Sequence, residues 1–386
     1  MTTLSVIFWL SLFGVFYAYA GYPLVLGLLA RGREAAPMPT AGEDEWPAMT
    51  MVISAYNEEK VIGKKLADTL ALDYPADCLE VVVVSDGSTD RTTDIVGGFA
   101  GAGGILRHYE GRIGKTACLN HALPLAKGQL IVFSDANSEY ARGALKALAR
   151  PFTDSRIGFV TGWTSYGTPA GGPASAGSLG LYSKLELWTK DRESRLGSCI
   201  GADGAIFAIR KALYLPLQPY DINDFVIPLS VNRQGYRGVL SREAVCMEQG
   251  AGSAKGEFHR QVRITNRSIR AIFNYRDLLN PLNHGLLAFE ILSHKVCKFI
   301  VPFLLLALFL SSAVLAIAEP FYIGVLVAQL LFYLGAAAST VLGRDNLAAR
   351  IGEAARTFVT VNAAIGLAWI KYLNGETYTT WSPTKR

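Results

Sequence analysis

Two oxygen-bearing side chains follow a short apolar segment near the middle of the chain, in the sequence QLIVFSDANSEY. The apolar residues Leu130 to Phe133 predict a strand that is buried on both faces of a sheet. In open α/β sheets, ligands bind beyond the carboxyl ends of such strands. Asp135 and Asn137 follow this strand, and their oxygen atoms could hold Mg2+ or Mn2+ against a phosphate group.

The segment SAYNEE closes another predicted strand, Met49 to Ser54. Its Tyr56 could cover the face of a base, and Glu58 could accept a hydrogen bond from a base or a ribose. The alternative is that Asn57 and Glu58 only cap the helix that follows.

Two more polar turns extend this pattern. The segment DGSTD closes a strand predicted for Leu79 to Ser85, where Asp86 could hold a base and Asp90 could cap the next helix. Acidic turns at the ends of two adjacent strands together favour a nucleoside pocket. In the segment GRIGK, Arg112 and Lys115 flank a glycine turn at a predicted helix start, which suits a phosphate; the alternative is a solvated loop.

Helical spacing of apolar residues follows these turns, so strands and helices alternate. The predicted helices are Glu58–Leu72, Asp90–Phe99 and Lys115–Leu125. This alternation predicts a doubly wound α/β sheet. No dinucleotide fingerprint follows the first strand, and the P-loop sequence is absent. The Gly-, Pro-, Ala- and Ser-rich stretch from Tyr166 to Gly180 predicts a flexible loop near the site.

The composition favours a protein at a membrane. The chain has 386 residues, 51% apolar and 18% charged, with a net charge of +5. The basic residues cluster beside apolar segments, which fits a membrane surface and its lipids better than nucleic acid. The five cysteines are scattered without metal-ligand spacing, which is typical of free thiols in a reducing compartment.

Uncharged segments predict the membrane spans. Residues 4–30 are long enough to cross a bilayer and lack the basic start of a signal peptide. Arg31 and Arg33 follow directly, so the positive-inside rule places the next residues in the cytoplasm. Phe299–Ala318 and Pro320–Gly343 predict two further spans.

A last apolar stretch, Thr357–Ile370, is short enough to be either a short span or a re-entrant or interfacial segment. Three full spans would leave Lys385 and Arg386 in the cytoplasm, as the positive-inside rule favours. Basic and apolar residues alternate from Glu257 to Arg276, which predicts helices on the membrane surface. The expected division is a membrane helix (1–33), a linker (34–48), an α/β domain (49–255), amphipathic interface helices (256–295), a membrane region with two full spans and one short or re-entrant segment (296–374), and a cytoplasmic tail (375–386).

A set of motifs in fixed order resembles the membrane-bound family 2 glycosyltransferases of the GT-A fold. The motifs are SAYNEE, VVVVSDGSTD, GRIGKTACLN, SDAN, GADGAIFAIRK, NDFVIPL and RQVR, and the resemblance covers residues 49–270. It implies a mixed, doubly wound sheet with a Rossmann-like nucleotide-binding half, placed between membrane helices. It also implies a sugar-nucleotide donor, a divalent metal and inverting transfer to an acceptor hydroxyl.

The resemblance assigns roles position by position. Asp135 matches the first acidic position of the family's metal-binding D-x-D motif, and Asn137 stands at the second as a weaker, uncharged ligand. Asp224 matches the general base, although it could instead cap a helix before Phe225. Asp203 and Asn223 lie on the acceptor side, with a turn role as the alternative for Asp203. The donor nucleotide would contact Ala55, Tyr56, Glu58, Asp86, Lys115, Asp135, Arg260 and Arg263.

One family position differs. The segment RQVR matches the family's [Q/R]-x-x-R-W motif except that Ile264 replaces the tryptophan, which in the family lies by the acceptor sugar. Arg263 is a better candidate for the pyrophosphate than Arg260, and both could instead contact lipid head groups. Arg267 and Arg270 are expected on head groups.

The aromatic segment YTTWSPT, residues 378–384, allows two interpretations. An interfacial anchor is favoured, because tryptophan and tyrosine concentrate at membrane surfaces. The alternative is a flap that returns to the active site.

The combined hypothesis is an inverting, metal-dependent glycosyltransferase that moves a sugar from a nucleotide diphosphate sugar, with a UDP-sugar as the expected donor, to a membrane lipid or lipid-linked glycan. It would lie in a cell membrane, in a bacterium the inner one, with its catalytic domain in the cytoplasm. A processive polysaccharide synthase is the alternative, and it would need an oligomer or a partner protein to form a pore. A non-catalytic scaffold is the third hypothesis. A transporter is disfavoured because the two long C-terminal apolar runs carry no charge.

Overall fold

The structure is a computed structural model that describes residues 2–33, 45–102, 104–167, 175–249, 254–339 and 347–380. Most of the expected linker and the end of the expected tail, including Trp381, lie outside these ranges.

A single mixed sheet of eight strands forms the centre of the α/β domain. In spatial order the strands are β3-β2-β1-β4-β7-β6-β8-β5, and β3, β2, β1 and β4 are parallel. The other half is mixed: β7 runs antiparallel to both β4 and β6, whereas β8 is parallel to β6. The strands are β1 Met49–Ala55, β2 Leu79–Asp86, β3 Gly104–Tyr109, β4 Leu130–Asp135, β5 Glu139–Tyr140, β6 Ile157–Gly167, β7 Ile206–Arg210 and β8 Arg237–Gln249.

Helices cover both faces of this sheet, so the predicted doubly wound fold is confirmed. One core lies between the sheet and α5, α8 and α9, and includes Phe133, Phe159 and Phe207. The other lies under α3, α4 and α6 and includes Ile53 and Leu66. The helices are α1 Thr2–Phe16, α2 Tyr22–Leu29, α3 Ile62–Leu70, α4 Thr92–Gly97, α5 Lys115–Ala122, α6 Ala144–Ala149, α7 Ser175–Leu196, α8 Asn223–Arg233, α9 Ala254–Asn274, α10 Pro281–Ile291, α11 Cys297–Leu315, α12 Pro320–Ala338 and α13 Leu347–Leu373.

The stretch predicted as a loop, residues 166–180, is largely regular where it is described. Tyr166 and Gly167 end strand β6, and helix α7 already begins at Ser175. Its small residues therefore do not prevent helix formation here, because the long helix packs against strand β8 and against α2. Residues 168–174 lie outside the described ranges.

Within the described ranges, three helical segments are long and apolar enough to cross a membrane: residues 3–29, 281–315 and 320–338. They correspond to the first apolar segment and the two long C-terminal runs of the sequence. Short π-helical turns join α1 to α2 and α10 to α11. Many of their leucine and phenylalanine side chains point away from the protein, among them Phe13, Leu306 and Leu331. Such apolar faces are stable in lipid rather than in water.

The boundary expected at residue 295 falls in a π-helical turn, Leu292–Val296, through which the helix continues. The helical segment 281–315 has 35 residues and a kink at Gly285, whose φ is 48°. At a rise of about 1.5 Å per residue, the part after the kink alone is longer than the hydrocarbon core, which is about 30 Å thick.

Helix α13 extends the ambiguous C-terminal stretch to 27 residues. Asn362 donates to the hydroxyl of Tyr19 at 3.0 Å, and the Trp369 indole donates to the carbonyl of Phe299 at 2.9 Å. These two side chains thus bond to the candidate spans 3–29 and 281–315, and α13 also packs against α9.

Helix α9 does not lie free on a membrane surface. Eight of its residues, from Val262 to Ile272, are buried. Arg267 is only 8% exposed and donates to the carbonyl oxygen of Tyr220 at 2.9 Å. The expectation that Arg267 contacts lipid head groups is therefore wrong, because its face of the helix packs against the α/β domain.

One glycine tests the packing of the domain. A Cβ atom at Gly128 would overlap the backbone of strand β1 at Met49 and Thr50, which cannot move aside. We expect Gly128→Ala to destabilise the protein by about 1–3 kcal/mol through overpacking. Gly97→Ala in helix α4, where no atom lies within 4 Å of the new Cβ, should be neutral or stabilising by up to about 1 kcal/mol. Thermal unfolding in detergent checks both, and equal melting temperatures for the two variants would contradict the packing.

Candidate active site

The carboxyl ends of three parallel strands meet at one edge of the sheet. Strand β1 pairs with β4 so that Ser54 lies opposite Asp135, and with β2 so that Ala55 lies opposite Ser85. Asp86 is the next residue of β2. The candidate residues from three separate motifs are therefore neighbours in space.

Asp86 is fully buried and is held by the GRIGK loop. One carboxylate oxygen accepts from the Gly114 backbone N–H at 2.9 Å, and the other accepts from Arg112 Nε at 3.3 Å. The Arg112 guanidinium also covers the ring of Tyr56 at 3.5 Å from its centroid. The loop is therefore part of the site rather than a solvated surface loop. A base that stacks on this face of Tyr56 would have to displace Arg112.

The two acidic turns are joined by hydrogen bonds. Asn57, at a left-handed φ of 51°, accepts from the Thr89 N–H at 2.8 Å. The N–H of Glu58 donates to Thr92 Oγ1 at 2.8 Å. Helix α3 begins only at Ile62 and no side chain caps it, so the capping alternative for Asn57 and Glu58 is wrong.

Asp90 binds the backbone at the start of helix α4, as a capping residue does. Its carboxylate accepts from the Thr92 N–H at 3.0 Å and from the Glu59 N–H at 3.1 Å. Asp90 therefore holds the turn after strand β1 and the turn after strand β2 together.

Asp135 ends strand β4 and is paired with Lys115. Lys115 Nζ lies 2.7 Å from Asp135 Oδ1, and the Asp135 side chain is 39% exposed. The turn after it is held from below by Lys65, whose ammonium donates to the Ser138 carbonyl at 2.6 Å and lies over the Tyr140 ring. Burial lowers the pKa of Lys65 to about 8.

Asp135 and Asn137 fit a divalent cation that takes most of its ligands from elsewhere. Among the described residues, no group of three His, Cys, Asp or Glu side chains could hold a metal. The exposed Asp135 carboxylate can supply one strong oxygen ligand and Asn137 a weaker one. Mg2+ commonly binds through one or two protein carboxylates together with phosphate oxygens and water.

Asp224 lies at the start of helix α8, half-buried against the GADG turn. A Cβ at Gly204 would come within 2.8 Å of Asp224 Oδ2, so this carboxylate lies directly against the turn. Burial raises the pKa of Asp224; the negative charges of Asp135 and Asp203 add to the shift, while Lys115 and Lys190 oppose it. The residue before helix α8 is Ile222, and no side chain caps this helix, so the capping alternative is wrong.

The two residues expected on the acceptor side differ in their surroundings. Both carboxylate oxygens of Asp203 accept hydrogen bonds from Thr164, through its N–H at 2.9 Å and its hydroxyl at 2.8 Å. This matches the turn role. Asn223 is 7% exposed, and its amide nitrogen has no hydrogen-bond acceptor among the described residues. Contact with an acceptor remains a prediction for both.

The two arginines of RQVR have different neighbouring side chains. Arg260 interacts with Glu257 at 3.6 Å and with the Tyr166 hydroxyl. Arg263 lies within electrostatic range of Asp135 and Asp224; burial and Arg260 lower its pKa. Arg263 is thus the better placed of the two for a diphosphate, as the sequence favoured, although its role stays a prediction.

The C-terminal segment returns to the site. After helix α13 the chain turns at Gly375, with a φ of 77°, and Arg270 donates to the Glu376 carbonyl at 3.2 Å. The Thr379 carbonyl lies against Gly114 so closely that a Cβ there would overlap it. The membrane-anchor interpretation is therefore wrong for residues 378–380, and so is the lipid-facing role of Arg270. Residues 381–384 lie outside the described ranges.

Two lysines near the site escaped the sequence-based prediction. Lys65 holds the turn after Asp135, and Lys190 lies within electrostatic range of Asp203 and Asp224. A signal for Lys190 exists: Glu186, Lys190 and Glu193 are spaced four and three residues apart, and thus share one face of helix α7. A charged face that packs inward is typical of a functional region.

Known proteins resemble this chain in sequence and in fold. The family model described as "Glycosyl transferase family 2" matches residues 50–214. The mannosyltransferase PcManGT from Pyrobaculum calidifontis, solved in complex with GDP-Man and Mn2+, superposes with a TM-score of 0.72 at 23% identity, covering 97% of this chain and 99% of that one. This likeness establishes the fold, a GT-A glycosyltransferase fold.

Two curated relatives match parts of the chain. A beta-monoglucosyldiacylglycerol synthase of Nostoc sp. is 28% identical over 155 residues, which are 39% of this chain and 33% of that protein. Cellulose synthase 2 of Novacetimonas hansenii is 34% identical over 115 residues, which are 30% of this chain and 7% of that protein. The chain thus spans a third or less of these relatives. The match to glycosyl transferase family 2 is thus to residues 50–214.

The contact between the C-terminal segment and the GRIGK loop can be tested with two glycines. Gly111 and Gly114 both have a positive φ, so alanine strains the backbone at either position. Only a Cβ at Gly114 meets Thr379, whereas no atom lies within 4 Å of one at Gly111. A nitroxide label on Thr380→Cys should become more mobile with Gly114→Ala but not with Gly111→Ala. Equal spectra for the two variants would show that the segment does not rest on Gly114.

Proposed function

We propose that this protein is an inverting, metal-dependent glycosyltransferase that moves a sugar from a nucleotide diphosphate sugar, with a UDP-sugar as the favoured donor, to a membrane lipid or lipid-linked glycan. The observation that carries the proposal is the relation between two carboxylates. Asp135 is exposed at the strand edge beside Lys115, and Asp224 is half-buried with a raised pKa. Such a site needs an exposed carboxylate beside a cation, where a diphosphate can bind, and a second carboxylate that can accept a proton.

Each residue has a defined task in this proposal. Lys115 and Arg263 would bind the diphosphate, which gains negative charge as the bond to the sugar breaks. The oxygen of the acceptor hydroxyl would attack the anomeric carbon on the side opposite the diphosphate, and Asp224 would accept the proton of that hydroxyl. Attack from that side inverts the configuration. A divalent cation held by Asp135 and Asn137 would neutralise part of the diphosphate charge.

Several facts about other proteins support this assignment. PcManGT was solved with GDP-Man and Mn2+, and the Nostoc relative is named as a synthase of a glucosylated diacylglycerol. The helices beside the domain that are long and apolar enough to cross a membrane also support a lipid acceptor. A lipid acceptor is therefore favoured over a growing polymer.

A processive polysaccharide synthase is the second candidate, because one relative is named a cellulose synthase. It would need a pore from an oligomer or a partner protein, since the three candidate spans among the described residues are few for enclosing a channel. Product length on a gel separates the two. A non-catalytic scaffold is the third candidate, and it predicts no release of nucleotide diphosphate from any donor.

We also propose that the catalytic domain faces the cytoplasm of a cell membrane, in a bacterium the inner membrane. Arg31 and Arg33 directly follow the first apolar helix, as the positive-inside rule requires for a cytoplasmic domain. Nucleotide sugars are the donors that this orientation would make available.

The base assignment predicts both a mutant effect and a pH dependence. Asp224→Asn should reduce kcat for transfer by at least about 100-fold, because the amide cannot accept the proton. Asp94→Asn, an exposed change on helix α4, should have no effect. Asp224 acts only when ionised, and its pKa is raised above the ordinary value of 3.8. When the pH is lowered, activity should therefore be lost at a pH above 3.8. Full activity of Asp224→Asn in a nucleotide diphosphate release assay would refute the assignment.

The metal assignment predicts the effect of restoring a carboxylate. Asn137→Asp should tighten Mn2+ binding in the presence of UDP by about tenfold, because affinity for hard cations rises with the charge of their ligands. Asp135→Asn should abolish this Mn2+ binding. Asn283→Asp, the same change at an exposed position of helix α10, is the matched control. Electron paramagnetic resonance of free Mn2+ measures the binding, and an unchanged affinity in Asn137→Asp would place the metal elsewhere.

A further inference from the structure

Three arginines share one carboxylate beside the first membrane helix. Asp191, on helix α7, is buried; Arg242 of strand β8 donates to one of its oxygens at 2.7 Å. Arg195 Nε lies 2.9 Å from the other oxygen, to which Arg192 also donates. Burial would raise the pKa of Asp191, but Arg242 and Arg195 hold it below its ordinary value, so the carboxylate is ionised. Three positive charges therefore meet one negative charge.

The next carboxylates along the chain do not neutralise this excess. Glu243, the neighbour of Arg242, accepts from Arg150 at 3.1 Å. Glu193 lies 2.7 Å from His294 Nδ1. Within the described ranges, Asp191 is thus the single acidic partner of the three arginines.

Two further arginines lie beside these three. Arg31 and Arg33 follow helix α2 and are exposed, and neither forms an ion pair with another described residue. Their turn is fixed to the end of helix α7, because Arg33 donates to the Leu196 carbonyl and Arg195 donates to the Arg33 carbonyl, each at 3.4 Å. We call Arg31, Arg33, Arg192, Arg195 and Arg242 the arginine cluster.

The arginine cluster lies where the first candidate span ends. Trp188, one helical turn before Arg192, packs on this span: a Cβ at Gly27 would lie 3.1 Å from its ring. The Arg192 guanidinium lies 4.9 Å from the centre of the same ring. The span ends two residues before Arg31. Tryptophan and arginine side chains at the end of a span are typical of the head-group level of a bilayer.

A lipid could reach the cluster without entering a cavity. Leu24 and Leu28, on the last turns of the same span, are 61% and 69% exposed, so acyl chains can lie along this outer face. Arg242 is the most accessible of the arginines around Asp191, with 57% of its side chain exposed. A guanidinium has five N–H groups, and its bond to one carboxylate oxygen leaves donors that suit phosphate oxygens.

We propose that the arginine cluster binds the head-group phosphate of an anionic phospholipid of the surrounding bilayer. The bound lipid would hold helix α7 and strand β8, and with them the α/β domain, against the membrane surface. The inference does not rest on the proposed function, because the lipid is a neighbour of the protein here and not a substrate. Basic residues next to a membrane span each strengthen binding to anionic lipid by about fivefold.

Lipid selectivity tests the inference without donor or acceptor. Native mass spectrometry of the full chain in detergent should detect dioleoylphosphatidylglycerol, and Arg192→Gln and Arg242→Gln should each weaken its binding by about fivefold. Arg195 still pairs with Asp191 in both variants. Arg91→Gln removes the same charge from a 79% exposed side chain beyond strand β2, toward the other end of the sheet from β8, and should have no effect. Dioleoylphosphatidylcholine, which has the same chains and no net charge, should bind equally to all four proteins.

Four outcomes would overturn the inference. The glutamine variants could bind phosphatidylglycerol as tightly as the unmodified chain, or they could lose phosphatidylcholine to the same degree. Inorganic phosphate at the concentration of the lipid could displace it, which would make the cluster a site for free phosphate. Finally, Arg242→Lys keeps the charge and should retain binding even where Arg242→Gln fails to fold; a loss in Arg242→Lys equal to that in Arg242→Gln would show a packing role instead.

Discussion

The guanidinium group of Arg267 joins the parts of the site that come from different segments of the chain. It is buried and donates to the carbonyl oxygens of Tyr220 and Asp221 and to the hydroxyl of Thr116. Thr116 follows Lys115, Asp221 lies three residues before Asp224, and Arg263 lies one helical turn before Arg267. A buried guanidinium that lost these acceptors would cost several kcal/mol. Helix α9, which packs against α13, therefore cannot move away from the α/β domain without disturbing the site.

The strand ends of the parallel half of the sheet follow from the sequence, because local signals determine them. Runs such as VVVV between turn residues become buried strands wherever helices cover both faces, and a polar residue after the run must lie at the sheet edge. Asp86 and Asp135 were predicted in this way. The pairing of Asp86 with Gly114 was not, because it joins segments that are 28 residues apart and depends on how one loop folds over another.

The partners of helix α9 could not be predicted for a different reason. The alternation of basic and apolar residues defines two helix faces but does not say what covers them. A membrane surface and an α/β domain with carbonyl acceptors both suit an arginine, so Arg267 and Arg270 were assigned to lipid. Lys190 and Lys65 were missed because a lone lysine usually lies in solvent. Their burial depends on carboxylates and carbonyls contributed by distant segments.

The charges around Asp224 also limit how the donor can bind. Lys115 is paired with Asp135 and opposes the raised pKa of Asp224. A diphosphate that drew Lys115 away would add negative charge near the base and leave Asp135 without its partner. Both changes would raise the pKa of Asp224 further and favour its protonated form, which cannot accept a proton. The added positive charge of a divalent cation at Asp135 would offset both effects. The proposed mechanism therefore requires donor and metal to bind together, and a single carboxylate with Asn137, too weak a site to hold the metal alone, is consistent with that order.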